Sequence, residues 1–381
     1  MHRPSTWFRP AAAVLLFLIS PVSYVAFADE LDNLAKELSI SLWDKSYGLR
    51  AGVGYKDNVL LDHSQPRSSP FVTSGLDIEL FRLPADGWQY YFLVTGDDIR
   101  YWHQIGVGNE DLWTAVANIK KDFGNDWKAG LSALYIYENQ VVDISGDAVN
   151  GLVAPAKVIG HTVTINPSIR RELATNYWVE LGWGATRQFL SEPADSYTRL
   201  GPKITLGHSY GNRSQFTVNY EFFDQRYDHA GDTDASGNDV PGTTLWELRH
   251  RVELALRHNW DAKRLWQTTT KLTFDYNRDN GSGYYDYYKY GLSEQLYYHA
   301  KTWEIKGTAA VAHYYYPLQN VDVATQLRWH KTGLVLNLRG EKHLARWLKL
   351  FAEYEYEHSI SNRTLDDYGV NTLNGGLQWD F

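Results

Sequence analysis

The sequence predicts an all-β protein, a transmembrane antiparallel up-and-down β-barrel of about sixteen strands. Three observations predict it. Apolar and polar residues alternate with period two along most of the chain. Tight connections alternate with long, polar ones. A content of 15 Trp, 27 Tyr and 14 Phe accompanies a mean hydropathy of only −0.43. A barrel reconciles the last two values. Its strands are apolar on alternate residues only, and its aromatic residues collect at the two membrane interfaces.

The alternation is clearest over residues 127–138. Trp127, Ala129, Leu131, Ala133, Tyr135 and Tyr137 fall on one face, as a lipid-facing strand needs, and Lys128, Gly130, Ser132 and Glu138 on the other. Leu134 and Ile136 break the polar face and are expected against a loop or plug. The same pattern places strands at 46–57, 70–83, 87–100, 110–122, 126–139, 158–172, 176–189, 196–209, 213–227, 245–260, 264–278, 285–299, 302–315, 327–343, 347–359 and 369–381. Most exceed the ten or so residues that a tilted strand needs to cross a bilayer.

The connections sort by length. Pro84–Gly87, Gly124-Asn125, Thr175-Asn176, Tyr210–Asn212, Asp261–Lys263, Ala300-Lys301 and Leu344–Arg346 are tight. Those at 57–70, 100–110, 139–158, 227–245, 315–327 and 359–369 are mostly longer and polar. Periplasmic turns and external loops of a barrel alternate in this way, and an even strand count brings both ends to one side. Closure is required in lipid, because an open edge leaves backbone N–H and C=O groups unpaired.

Residues 1–28 read as a signal peptide. Arg3 and Arg9 precede an apolar core over 11–19, and Ala26-Phe27-Ala28 forms a cleavage site before Asp29. Residues 29–45 fit no strand. Leu31, Leu34, Ala35 and Leu38 have helical spacing, which fits a periplasmic N-terminal tail, a short helix or a partial plug. The barrel is expected over 46–381. Removing the leader leaves 35 Lys+Arg against 45 Asp+Glu, a formal charge of −10. That balance argues against nucleic acid as a partner. With no Cys, the fold must be stabilised without disulfides.

The chain ends Asn374-Gly-Gly-Leu-Gln-Trp-Asp-Phe381. Asn374, Gly376, Trp379 and Phe381, with Leu377 on the apolar face of the two aromatics, resemble the recognition strand that bacterial outer-membrane barrels present to their assembly machinery. The segment Gly52–Val59, and Tyr354–Ser359 through Asn362 and Tyr368, are similar to a class of bacterial β-barrel porins, some of whose members lie near exopolysaccharide genes. The resemblance implies a multi-pass protein of the bacterial outer membrane, in contact with its lipid and lipopolysaccharide.

No catalytic constellation emerges, so the protein is read as a non-enzyme. His358 and Ser359 are adjacent and fall on opposite strand faces, and His161, His208, His250 and His258 are scattered near strand ends. Asp232, Asp234, Ser236 and Asp239 match the first half of a calcium loop, with Gly237 at its sixth position. Thr243 stands where the closing Glu belongs. Calcium at this external loop is therefore an expectation on half a motif, and no other cofactor is implied.

Charged residues fall on the inward parity of two strands. Glu247, Arg249, Arg251, Glu253 and Arg257 share one row, and Lys349, Glu353, Glu355 and Glu357 share another. They either set a field across a water-filled lumen or pair across the barrel and brace it. Tyr91, Trp178 and Phe351, also inward, are candidate stacking surfaces for sugar rings or for an infolded loop. The leading expectation is a porin-like channel for hydrophilic solutes. The alternatives are an export conduit or accessory barrel for a polysaccharide and a non-conducting surface-interaction barrel. The net acidity predicts mild cation preference.

Overall fold

The computed structural model describes residues 42–103, 106–143, 155–192, 195–234, 236–322 and 326–381. The expected leader and most of the 29–45 segment lie outside them. The strands are β1 (Trp43–Lys56), β2 (Ser69–Ala85), β3 (Trp88–Tyr101), β4 (Asn109–Asp122), β5 (Trp127–Asp143), β6 (Pro155–Ala174), β7 (Tyr177–Glu192) and β8 (Tyr197–Tyr210). They continue as β9 (Ser214–Tyr227), β10 (Trp246–Asn259), β11 (Trp266–Asp279), β12 (Tyr287–His299), β13 (Trp303–Asp322), β14 (Leu327–Ala345), β15 (Leu348–Ser361) and β16 (Tyr368–Asp380). Each pairs antiparallel with its sequence neighbours, and β1 pairs with β16 to close the barrel. A strand of 14 residues, the commonest length here, is about 46 Å long. Tilted by about 45°, it spans roughly the hydrocarbon core of a bilayer.

All sixteen expected strands are present. The largest departure is β13, which continues seven residues beyond the expected end at 315. Its far part pairs Asn320 with Arg328 and Asp322 with Leu327 through register shifts after Tyr315. Pro317 and the polar residues Gln319, Asn320 and Asp322 read as loop, yet Tyr316 and Trp329 stack at 4.0 Å and hold this extension together.

The outer face is apolar. Leu131, Leu181, Leu254, Leu272, Leu292 and Leu336 are exposed at mid-height. Trp43, Trp88, Trp127, Trp266, Trp303 and Trp347 are exposed near the tight turns, and Tyr55, Tyr135, Phe189, Trp246 and Tyr315 near the long connections. A continuous apolar band with an aromatic girdle at each rim is stable in lipid and unstable in water. The scattered histidines join these girdles. His208 stacks on Tyr177 at 4.2 Å, His250 lies 5.1 Å from Phe222, and His161 lies 5.0 Å from Tyr137.

Local chemistry sets the turns. Between Ala85 and Trp88, Asp86 and Gly87 both adopt positive φ, the two-residue hairpin geometry that Asp-Gly favours. In the β10–β11 turn the Asp261 carboxylate accepts N–H bonds from Leu265 and Trp266 at 3.1 and 2.9 Å, which holds its pKa below the usual carboxylate range.

The closing seam pairs Gly48–Lys56 with Thr372–Asp380. Leu373, Leu377, Trp379 and Phe381 lie on the outward parity, and Asn374 and Gly376 on the inward one. A Cβ on Gly376 would lie 2.1 Å from the Ala51 carbonyl oxygen, so only glycine allows the strands to approach here.

Candidate functional site

Among the described residues, two cavities lie inside the barrel. The larger, of about 660 Å³, is walled by β5–β16, and the smaller, of about 190 Å³, by β1–β5 and β14–β16. They exist because many inward positions carry small residues. Ser132, Ser168, Gly182, Gly184 and Gly201 line one side of the larger cavity, and Gly291, Ser293, Ala310, Ala312 and Gly333 the other. Leu134 and Ile136 line this cavity, and Ile136 is buried.

Charged side chains occupy the wall between these smooth faces. The register links Lys203 (β8), Glu221 (β9), Arg251 (β10), Asp275 (β11), Lys289 (β12), Tyr314 (β13) and Lys331 (β14) into one inward row. Its first five residues alternate in sign. Lys203 bonds Glu221 at 2.7 Å, and Arg251 bonds Asp275 through two nitrogens at 2.6 and 3.1 Å. Lys289 lies 4.9 Å from the centre of the Tyr314 ring. Among the described residues, the larger cavity is lined by seven Lys and Arg (Arg199, Lys203, Arg249, Arg251, Lys271, Lys289, Lys331) against five Asp and Glu (Glu180, Glu221, Glu253, Asp275, Glu357). The smaller reverses this: Arg50, Lys56 and Arg339 against Asp97, Glu110, Glu353, Glu355 and Glu357.

Of the expected rows, Arg249, Arg251 and Glu253 line the larger cavity, Glu353 and Glu355 the smaller, and Glu357 both. Their partners are on neighbouring strands, because adjacent strands bring side chains within hydrogen-bond reach while the lumen separates opposite walls. Glu247 is buried and accepts from Asn277 at 2.9 Å and Tyr227 at 3.2 Å, with Arg249 at 3.8 Å. Glu253 accepts from Asn219 at 3.1 Å, and Arg257 donates to Gln215 at 3.2 Å. In β15, Lys349 bonds Asp380 at 2.9 Å, Glu353 receives Arg339 at 3.1 Å, and Glu357 receives the Tyr368 hydroxyl at 2.6 Å. Glu355 lines the smaller cavity. The row members Lys203, Glu221, Asp275, Lys289 and Lys331 went unmarked in the sequence, although inward parity in β8, β9, β11, β12 and β14 signals them.

Two expected sugar-stacking surfaces are corrected. Trp178 points inward but is 6% exposed: the Arg170 guanidinium lies 3.9 Å from its ring centre, and the ring packs so close to Gly207 that a Cβ there would lie 2.0 Å away. Phe351 is 3% exposed with Arg339 over it at 4.5 Å. Cation–π contacts with the wall already use these faces. Tyr91 is half-buried.

The expected calcium residues lie in a turn with its own hydrogen bonds. The Asp234 carboxylate accepts the N–H groups of Ser236 and Asn238 at 2.8 and 2.9 Å, which keeps its pKa below the usual carboxylate range. Asp232 accepts from the Thr233 N–H at 2.8 Å. Thr233 and Asp239 form a bridge, so the segment is a small self-capped hairpin. Among the described residues no three acidic or histidine side chains converge as a metal site. Two of the four expected ligands, Asp232 and Asp234, thus spend carboxylate oxygens on the backbone of their own turn. His358 and Ser359 also separate as expected: the buried Ser359 hydroxyl donates to the Asp366 carbonyl at 2.6 Å.

At the long-connection end a loop caps one side of the lumen. Val59 and Leu61, from the β1–β2 connection, are buried in one apolar cluster with Phe71, Tyr101, Val107, Val141, Tyr368 and Val370. Phe71, Tyr101 and Val370 also line the smaller cavity. Asn58 donates to the Gly369 carbonyl at 3.2 Å, and Asp57 receives Asn371 at 2.7 Å, which tie this loop to β16. In the β11–β12 connection, burial pushes the Asp286 carboxyl up to about 6. Its Oδ1 accepts the Asp279 N–H at 2.8 Å, while the Asp279 charge repels it. The folded state therefore binds this proton more tightly than the unfolded chain, whose Asp titrates near about 4. Stability from this group is fullest below about 4 and is lost as pH rises through about 6. Hydrogen exchange at 280–286, corrected for its intrinsic pH dependence, is expected to quicken between about pH 4 and about pH 7 in the native protein and to lose that change in Asp286→Asn.

A closed barrel, apolar outside and charged inside, leaves one architectural reading. The fold is a transmembrane β-barrel of the outer-membrane type. The sequence matches no protein-family model and no curated protein. Solved structures of similar fold include OccAB1 of Acinetobacter baumannii, at 8% identity and a TM-score of 0.48 over 95% of this chain and 99% of that one. An anion-selective porin of Comamonas acidovorans is similar at 11% identity and 0.44 over 89% and 100%. The outer membrane protein OmpT of Vibrio cholerae is similar at 11% and 0.45 over 89% and 97%. At this identity the likeness concerns fold alone.

Proposed function

We propose that the protein sits in the bacterial outer membrane and passes hydrophilic solutes passively, without a chemical step. The observation that carries this reading is the larger cavity, a polar and charged space of about 660 Å³ inside a closed barrel. Charged walls replace part of the hydration that a solute sheds on entering. The recognition strand at Asn374–Phe381 supports delivery by barrel assembly machinery, and the girdles support contact with lipid and lipopolysaccharide.

Single-channel recording of refolded protein in a planar bilayer tests the reading. Steady conductance supports it, and silence from a demonstrably folded barrel refutes it. Block by a saccharide would favour the polysaccharide conduit. The cap of buried apolar residues over the smaller cavity favours a second reading, in which the loop end restricts passage. Replacing residues 59–65 by a short Gly-Ser linker is expected to raise conductance, because Val59 and Leu61 would no longer cap that side of the lumen. Unchanged conductance would show that the loop lies outside the path.

A further inference from the structure

We infer that the larger cavity is a binding compartment for small organic anions, centred on Lys203, Arg251, Lys289 and Lys331. It rests on the channel reading for its route of access but not for its chemistry. Counting charges gives the cavity a modest basic excess, and the way each pair is built increases it. The Lys203 side chain is 44% exposed and its partner Glu221 only 18%. Arg251 is 31% exposed and its partner Asp275 only 1%. Short carboxylates stay at the wall, while long cationic stems carry their charge into the lumen. A solute therefore meets cations first, with the carboxylates behind them fixing their position.

The smaller cavity is built the opposite way. Asp97 is 40% exposed, while Arg50, which bonds it, is only 12% exposed. Glu353 is 27% exposed and Arg339 17%. Two compartments of opposite presented charge thus lie side by side in one lumen. The cationic one is over three times larger by volume. An anion that enters it faces Lys289 and Lys331 on either side of the Tyr314 ring in the register row, where the hydroxyl can donate to a carboxylate. This reverses the cation preference expected from the charge of −10, because that sum counts loops and the acid side of the lumen equally.

Two measurements on the full barrel test the inference. The first is the reversal potential in a KCl gradient. Chloride is expected to be favoured over potassium severalfold, and Lys289→Gln with Lys331→Gln to bring the ratio close to one. Lys121→Gln, outside the lumen, should leave it unchanged. The second is calorimetric binding of glucuronate, with glucose as the neutral control, to folded protein in detergent. Glucuronate should bind more tightly than glucose, and the double variant should lose the difference. Binding without conductance would keep the site and refute the channel reading. Conductance with potassium preference, or glucuronate binding no tighter than glucose, would overturn the anion compartment.

Discussion

Asp275→Leu is expected to destabilise the barrel by about 3 kcal/mol, within the range for breaking a buried ion pair. Asp275 is 1% exposed and accepts both bonds of the Arg251 guanidinium. Its removal leaves Arg251 at the wall with Lys289 close in the same row and no carboxylate between them. Lumen water reaches part of Arg251, which keeps the cost toward the lower end of that range. The double variant Arg251→Met, Asp275→Leu removes both charges and is expected to return to within about 1 kcal/mol of the native protein, since a paired charge and an apolar pair of similar size are often near balance. Urea unfolding of the barrel in lipid vesicles measures both. Equal stability of native and single variant would show that water screens this pair.

Gly376→Val is expected to cost about 3 kcal/mol or more, or to prevent closure altogether, because overpacking against backbone has no flexible neighbour to absorb it. A Cβ at this position would lie 2.1 Å from the Ala51 carbonyl oxygen and 2.6 Å from the Gly52 Cα. Both belong to β1, the strand that β16 must meet to finish the barrel. Open β1 and β16 edges would leave a full set of ladder groups unpaired in lipid. The folded fraction is read from the compact gel band of the unheated protein. Gly340→Val serves as the control, since a Cβ there meets nothing within 4 Å. If both variants fold equally well, close approach does not control the seam.

The barrel was legible because period-two alternation is a local property. Trp127, Leu131 and Tyr135 announce a lipid face within nine residues, and Asp86-Gly87 announces its own hairpin. Only β13 misled, because Tyr316 gains its place from Trp329 on the next strand rather than from its polar neighbours. The charge rows in β10 and β15 were legible as inward for the same reason. Their partners were not. Parity says that Arg251 points into the lumen, but the register decides that Asp275 lies opposite it on β11 and Glu221 on β9.

The sequence by itself determined the strands, their faces, the turn chemistry and the even closure, because each follows from residues near one another in the chain. The tertiary structure alone decided the character of the lumen. Trp178 and Phe351 pointed inward in both, yet guanidinium groups from neighbouring strands cover their rings. The net charge suggested an acidic path, yet the wall-bound Glu221 and Asp275 and the outstretched Lys203 and Arg251 present the opposite sign in the larger cavity. Cross-strand register and side-chain length set that outcome, and both act between residues that the chain keeps far apart.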